Sequence, residues 1–571
     1  MKTPTDVSPE SRIKGLNSEM PGKLDLGSIL DHAPVPLVFG TSGRRGLLKD
    51  LSQLEIYINA LGEIEFLKTL SDAEGGVRSG EPFFVAADLR PSSTQILEAA
   101  RGGLAQAILR AVADAGLEPV YLGAIPTPAL TAYAIARGKG SMMVTGSHIP
   151  FDRNGFKTNT AIGELLKHHE DPIAAFVAKI RKRIYEENAE TSLFNASGMI
   201  KQGGVSLPKA SDAAAVAYVA RYVEFFEPGA LSGLNVLVYQ HSAVGRDLLP
   251  EILEQLGAHV VRAGRSEVFV PIDTENVDQA CLDGIQGLLN TEKKEGHVFD
   301  AVVSTDGDSD RPLILAVDAK TGSARFFGGD LVGMVAAEFL EPDAVVVPIS
   351  CNDAIDRGPL APVLEPKTRI GSPFVIQGML NAQARGALRV VGWEANGGFL
   401  TGSPIERRGR LLSALPTRDA VLPILAVLAR AKEKGVALTT LFEDLPPRFS
   451  RAALLKDFPR AKSEAILSRL RLDSFAASSM DSPEFRAWAQ GISAYFGKAQ
   501  GFGPVTGVDY TDGVRLYFVG GDIAHLRPSG NADEFRIYAV ADTQARADEI
   551  VSMGVREPDG ILRALERDTQ I

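Results

Sequence analysis

Ala301-Val302-Val303-Ser304-Thr305-Asp306-Gly307-Asp308-Ser309-Asp310-Arg311 is an apolar β-strand that runs straight into an acidic loop. The β-branched run has the character of a buried strand, and Gly307 marks the turn that ends it. Asp306, Asp308 and Asp310 put three carboxylates within five residues. On one loop they repel one another unless a cation sits between their oxygens, and hard oxygen ligands suit Mg²⁺. A solvated acidic turn has the same composition. A calcium EF-hand loop is excluded, because its sixth and twelfth positions are Arg311 and Val317 instead of Gly and Glu.

The same device recurs on both sides. Met142-Met143-Val144 enters Thr145-Gly146-Ser147-His148, and Val390-Val391 enters Trp393-Glu394-Ala395-Asn396-Gly397-Gly398. Around these loops strands and helices alternate. Phe83 to Ala87 reads as a strand, Gln95 to about Ala115 as a helix, and Pro119 to Leu122 as a strand. Asn235 to Tyr239, a helix from Gly245 to Leu256 and His259 to Val261 repeat the pattern, followed by strands at Ala344 to Val347 and Leu388 to Val391. Such alternation predicts an α/β protein with parallel or mixed sheets covered by helices on both faces. Ligands bind such sheets outside the carboxyl ends of the strands, so three polar loops in three units point to one shared site. From about Leu441 the character changes to a strand pair, Val514 to Val519 and Phe535 to Val540, and a helix from Ala545 to Met553, read as a separate α+β domain.

Serine alone is a poor nucleophile and needs a base or a metal. Ser147 has His148 beside it and Lys157 ten residues on. The Gly-x-Ser-x-Gly pattern of hydrolases is missing, since Thr145 and Ile149 occupy its glycine positions. Arg527-Pro528-Ser529-Gly530-Asn531, with Arg536 beyond, offers guanidiniums, a hydroxyl and turn amides to a phosphate dianion. Gly40 to Gly46 is a second Gly/Arg loop and contains Arg45. Glu394 and Asn396 can hydrogen-bond sugar hydroxyls. Each of these stretches, taken alone, also reads as an ordinary turn. No Gly-Lys is followed by Ser or Thr, which argues against a P-loop kinase. A phosphatase using Asp306 as nucleophile fits the strand and Asp-x-Asp, but Asp310 stands where such enzymes want Thr or Val.

A chain of 571 residues exceeds one core, so three or four domains are expected. A net charge of -11 gives no electrostatic reason to bind nucleic acid or an anionic membrane. Two separated cysteines, Cys281 and Cys351, suit a reducing compartment. Met1 to Ala33 lacks the apolar core of a secretory signal and reads as a flexible leader, and no stretch approaches a membrane span, so a cytoplasmic location is expected.

Together these parts resemble the α-D-phosphohexomutase superfamily from about Val38 to Tyr538, and in the same order. The resemblance implies four domains around a central cleft, three related α/β domains with mixed sheets plus a C-terminal α+β domain. The expected spans are a leader at 1–33, then 34–204, 205–320, 321–438 and 439–571. It implies reversible phosphoryl transfer between the 1- and 6-positions of a hexose phosphate through a phosphoserine at Ser147 and a hexose 1,6-bisphosphate intermediate. By the same resemblance Ser147, Asp306, Asp308 and Asp310 hold Mg²⁺. Arg45, His148 and Lys157 flank the transferred group, with Lys157 as general acid/base, and Arg311 lies by the metal loop. Glu394 and Asn396 read the sugar, while Arg527, Ser529, Gly530 and Arg536 hold the distal phosphate. Partners are then small-molecule hexose phosphates, with neither nucleic acid nor membrane, and a monomer or homodimer is expected.

The sequence departs from that family at Ile149, where Asn is usual, at Asn396 for Ser, and at Gly398 for His. Gly371-Ser372-Pro373-Phe374 lacks a common Lys or His, and Asn531-Ala532-Asp533 replaces Thr-Glu-Pro. These positions bear on substrate choice. Mannose or glucose phosphate is expected, with mannose favoured by the third- and fourth-domain loops. Phosphoglucosamine mutase, the Asp306 phosphatase and a non-catalytic sugar-phosphate sensor are the alternatives.

Overall fold

The computed structural model describes residues 24–97, 101–201, 206–275, 277–472, 482–529 and 533–569. Four principal sheets follow one another along the chain, and the first three mix parallel with antiparallel pairing. In the first, Pro82–Ala87 lies between the parallel strands Glu118–Ala124 and Ser141–Val144. Its residues alternate between two cores. Phe83, Val85 and Ala87 face the helices Gln53–Leu67 and Leu104–Asp114, while Phe84 and Ala86 face Thr127–Ile135. Both faces are covered, which is why the strand reads as an unbroken apolar run.

The second sheet has the order His259–Arg265, Asn235–His241, Ala301–Thr305, Pro312–Val317, Ala324–Phe326. Its last strand lies past the boundary at 320 expected from the sequence. The third is built from Ala344–Val346, Val390–Trp393, Phe399–Thr401 and Leu415–Asp419. In all three sheets a parallel strand turns back into an antiparallel neighbour, and the connecting loop is one of the three polar loops: 145–152, 306–311 and 394–398. Equivalent positions in similar sheets bring the loops to one side of the molecule.

The fourth sheet, Phe449–Lys456, Glu534–Ala541, Ile523–Pro528, Val514–Phe518 and Val505–Asp509, is wholly antiparallel. The strands expected to pair, near 514–519 and 535–540, are separated by Ile523–Pro528, so Arg527 ends a strand instead of standing in a turn. This sheet has its own apolar core with the helices Gln544–Val555 and Ile561–Asp568. A single core runs through the first three sheets, joining Phe84, Val238, Val303, Val391 and Ile424.

Two further expectations are corrected. The helix read from Gln95 begins at Leu104, because Gly102 and Gly103 adopt φ of 101° and 67° and break the chain direction just before it. The leader is not free throughout: Leu26 is fully buried, its N–H donates to the Glu187 carbonyl at 2.8 Å, and Leu26–Ile29 forms a short helix. Residues 1–23 of that leader lie outside the described residues. Among the described residues no helix is long and apolar enough to cross a membrane.

Candidate active site

Ser147 has φ of 53°, an uncommon value for a residue with a side chain, and neighbouring groups hold it there. The buried Arg90 guanidinium donates to the carbonyls of Ser147 and Pro150 at 2.9 Å, Ile149 at 2.5 Å and Arg153 at 3.0 Å. A Cβ on Gly146 would lie 2.5 Å from this guanidinium, so glycine is required there. The Gly146 N–H donates to Asp88 at 3.1 Å, and the Ser147 N–H to the Thr145 hydroxyl at 2.7 Å. The clamped loop delivers Ser147 Oγ to Asp306 Oδ2, to which it donates at 2.8 Å.

The three carboxylates of the acidic loop are fully buried, and oxygens of all three lie within 4.8 Å of one another. Asp306 Oδ1 accepts from the N–H groups of Asp310 and Arg311 at 3.1 and 3.2 Å. Asp308 Oδ2 accepts from the Thr127 hydroxyl at 2.6 Å and from Lys157 Nζ at 2.7 Å. Asp310 Oδ2 accepts from Lys157 Nζ at 2.6 Å and from Arg418 Nε and Nη2 at 3.1 and 2.9 Å. The other oxygens, Asp308 Oδ1 and Asp310 Oδ1, are buried and make no hydrogen bond. Burial, together with the charges of Asp308 and Asp310, pushes the Asp306 carboxyl well above its ordinary pKa. Two orphaned oxygens and an Asp306 oxygen beside the Ser147 hydroxyl form an all-oxygen donor set that fits a hard divalent cation such as Mg²⁺.

Above Ser147 opens a cavity. The first sheet lines it with Ser147 and His148 from a loop and with Lys157 and Arg45 from strands, and the second contributes Arg311. Arg45 thus stands in the strand Arg44–Leu47 and not in the Gly/Arg loop expected from the sequence. The third adds Glu394 and Asn396, and the fourth Arg527, Ser529 and Arg536. Four domains thus meet around one cleft, and every described residue named for the site from the sequence lies in it or in the carboxylate cluster behind it. Gly530 lies outside the described residues.

Burial and the nearby Arg311 push the His148 imidazole down to about 3, so it is neutral at working pH. Its Nδ1 lies 3.4 Å from Ser147 Oγ. Burial lowers the Arg45 guanidinium to about 10, and its Nη1 donates to the carbonyls of Arg44 at 2.8 Å and Phe156 at 3.2 Å. Arg527 and Arg536 pair across neighbouring strands. Arg527 Nε is 3.5 Å from Asp512, and Arg536 donates to Glu534 at 2.8 Å.

Several site residues carried no sequence signal. Arg90 supports Ser147 from a loop, and Thr127 supports Asp308 from the first turn of the helix Thr127–Ile135, neither within a recognisable motif. Arg418 reaches both Asp310 and Glu394 from an ordinary strand. Asp273 and Glu275 line the cavity from a segment fastened by Thr274, whose hydroxyl donates to the Asn396 carbonyl at 2.9 Å. The acidic pair at 273 and 275 following Val270-Pro271 was the only visible hint.

A clamped hydroxyl against a cation-seeking carboxylate cluster, under a cavity rimmed by arginines, defines a site for handling phosphoryl groups. Residues 36–184 and 328–449 match the phosphoglucomutase/phosphomannomutase family, alpha/beta/alpha domains I and III. The chain is 38% identical over 519 residues to a phosphomannomutase of Sinorhizobium fredii, covering 90% of this chain and 98% of that one. It is 36% identical over 513 residues to a phosphomannomutase of Salmonella muenchen, covering 90% and 94%. Its fold is shared with a phosphoglucomutase/phosphomannomutase family protein from Burkholderia thailandensis, at TM-score 0.61 and 19% identity over 93% of this chain and 97% of that one. The chain therefore belongs to the phosphoglucomutase/phosphomannomutase family.

Proposed function

We propose that this protein is a phosphohexomutase that interconverts the 1- and 6-phosphates of a hexose through a phosphoserine at Ser147, with mannose phosphate as the preferred substrate. The observation that carries the reading is the Ser147 hydroxyl at 2.8 Å from Asp306, at the floor of a cavity lined from all four sheets. The two phosphomannomutases, 38% and 36% identical over 519 and 513 residues, support mannose as the sugar.

In this reading Ser147 Oγ carries the phosphoryl group and exchanges it with the sugar hydroxyl presented to it. Lys157 and Arg45 supply positive charge beside the transferring oxygens, and Lys157 Nζ handles the sugar hydroxyl's proton. Ser147, Asp306, Asp308 and Asp310 hold Mg²⁺, which when bound offsets phosphate charge that the three carboxylates alone would repel. Glu394 and Asn396 bind sugar hydroxyls. Arg527, Ser529, Gly530 and Arg536 grip the phosphate that is not reacting, so the 1,6-bisphosphate can turn over and present its other end. Hexose 1,6-bisphosphate serves as intermediate and activator.

Asp306 as a phosphatase nucleophile fits poorly. It is fully buried behind Ser147, with Oδ1 accepting two N–H groups and Oδ2 the serine hydroxyl. The test assays mannose, glucose and glucosamine 1-phosphates in parallel and maps phosphopeptides of the purified protein. Isomerisation with phosphate on Ser147 is expected. Release of inorganic phosphate without isomerisation would replace the reading with the phosphatase, and stable binding without turnover would replace it with a sensor.

A further inference from the structure

The acidic loop and the sugar loop belong to different sheets, yet one side chain joins them. Arg418 is almost fully buried and lines the cavity. Its Nε and Nη2 donate to Asp310 Oδ2 at 3.1 and 2.9 Å, and its Nη1 donates to Glu394 Oε2 at 2.9 Å and to the Ser372 hydroxyl at 3.1 Å. The planar fork of an arginine presents its N–H donors in fixed, diverging directions, so it reaches Asp310 and Glu394 from one side chain with set geometry.

Its strand is pinned on both sides of it. Thr417 donates to Glu164 Oε1 at 2.6 Å, and Ser372 donates to Glu164 Oε2 at 2.6 Å. Asp419 accepts from the Tyr218 hydroxyl at 2.5 Å and from the N–H of Val421, at the start of the helix Val421–Lys434, at 3.1 Å. Alternate residues of a strand point to opposite faces, so these two anchors leave residue 418 aimed the other way, into the site. The route is open because residue 398 is glycine: a Cβ there would lie 2.5 Å from Arg418 Cδ and 2.7 Å from Cγ.

We propose that Arg418 is a positioning residue for phosphoryl transfer, its guanidinium crossing above Gly398 to tie Asp310 of the metal loop to Glu394 of the sugar loop. This rests on the phosphohexomutase reading. With Asp310 Oδ2 taken by Arg418 and Lys157, the orientation of this carboxylate is set and Oδ1 is left without a hydrogen bond. With Glu394 Oε2 taken by the same guanidinium, the sugar-facing carboxylate sits at a set distance from the metal loop.

The test uses the full chain and the variants Arg418→Lys and Gly398→Ala. The readouts are kcat, KM, melting temperature and Mn²⁺ affinity without sugar. Arg418→Lys keeps the charge and loses the fork. It is expected to lower kcat/KM about 10- to 150-fold, as for loss of a charge-assisted contact, and to weaken Mn²⁺ binding several-fold. Gly398→Ala, which displaces the guanidinium without touching a carboxylate, is expected to lower kcat/KM in the same direction. Wild-type kinetics and Mn²⁺ affinity in Arg418→Lys overturn the proposal. So does a lowered melting temperature in both variants with unchanged kcat/KM and Mn²⁺ affinity, which makes Arg418 a tie between sheets and nothing more. Should the wild type isomerise no hexose phosphate, the functional reading fails, while the Mn²⁺ measurements still decide whether Arg418 sets Asp310.

Discussion

The cavity is walled by two kinds of structure. The loops with Ser147, the three aspartates and Glu394 stand on three sheets that share one continuous apolar core. The arginines at 527 and 536 stand on a fourth sheet with a core of its own. The fourth meets the third largely through polar contacts: Arg515 donates to the Ile349 carbonyl at 2.6 Å, the Ile370 N–H to Asp512 at 3.0 Å, and Arg448 to Asp353 at 2.6 Å. A close-packed core resists displacement, whereas a polar interface rearranges at low cost. On the proposed function, the geometry-critical chemistry falls to the fused body and the grip on a reorienting ligand to the sheet with a core of its own.

The sharpest way to break this division is Ser147→Ala. Loss of the phosphoryl acceptor is expected to cut turnover on the order of 10³-fold or more, with sugar-phosphate binding retained. Steady-state kinetics and calorimetric titration on the same preparation check it, and near-normal turnover would move the chemistry elsewhere.

Next is the metal loop. Chelation should abolish activity and Mg²⁺ restore it. Asp308→Asn should weaken metal binding by more than about 100-fold, beyond the loss typical of outer-shell changes. Activity that persists in excess chelator would separate the carboxylate cluster from the chemistry.

Arg527→Ala tests the fourth domain. Removing one charge-assisted contact predicts a KM raised roughly 10- to 150-fold and a lowered kcat, because reorientation needs the grip. Phosphorylation of Ser147 by a hexose bisphosphate should survive better than overall isomerisation. A normal KM with a reduced melting temperature would make Arg527 a structural tie of its own domain.

The smallest effect concerns the separate core. Burial, reinforced by Arg515, pushes the His525 imidazole down to about 3, and His525 is fully buried with Nε2 at 2.5 Å from the Asp512 carbonyl. The folded state thus stays unprotonated where the unfolded chain, with an ordinary value near 6.5, takes up a proton. Stability from this site is complete above about pH 6.5 and is lost as pH falls from there toward 3. Between pH 7 and 5 the loss is about 2 kcal/mol. His525→Asn should remove that share of the acid sensitivity of the fourth domain, read as the urea midpoint of its unfolding at the two pH values. If the shift is equally present in the variant, another group carries it.

What the sequence determined by itself was local. The acidic loop, the Ser147 loop and the sugar loop were legible because each lies within a few residues of an apolar strand, and strand patterning with turn chemistry is readable over such distances. The α/β class followed from the same alternation. The tertiary structure alone decided what long-range contacts decide. Arg418 and Asp310 are 108 positions apart, Lys157 and Asp308 are 151, and Thr127 and Asp308 are 181. No periodicity links such residues, and an isolated arginine on a strand or threonine at a helix start has many uses. Local reading also failed where backbone geometry overrode composition, as at Gly102 and Gly103 before the Leu104 helix, and where a polar leader buried a single leucine, Leu26. The chain thus spells out three polar loops at strand ends, and the packing of their sheets onto a shared core brings Ser147 to Asp306, Lys157 to Asp308, and Arg418 to Asp310 and Glu394.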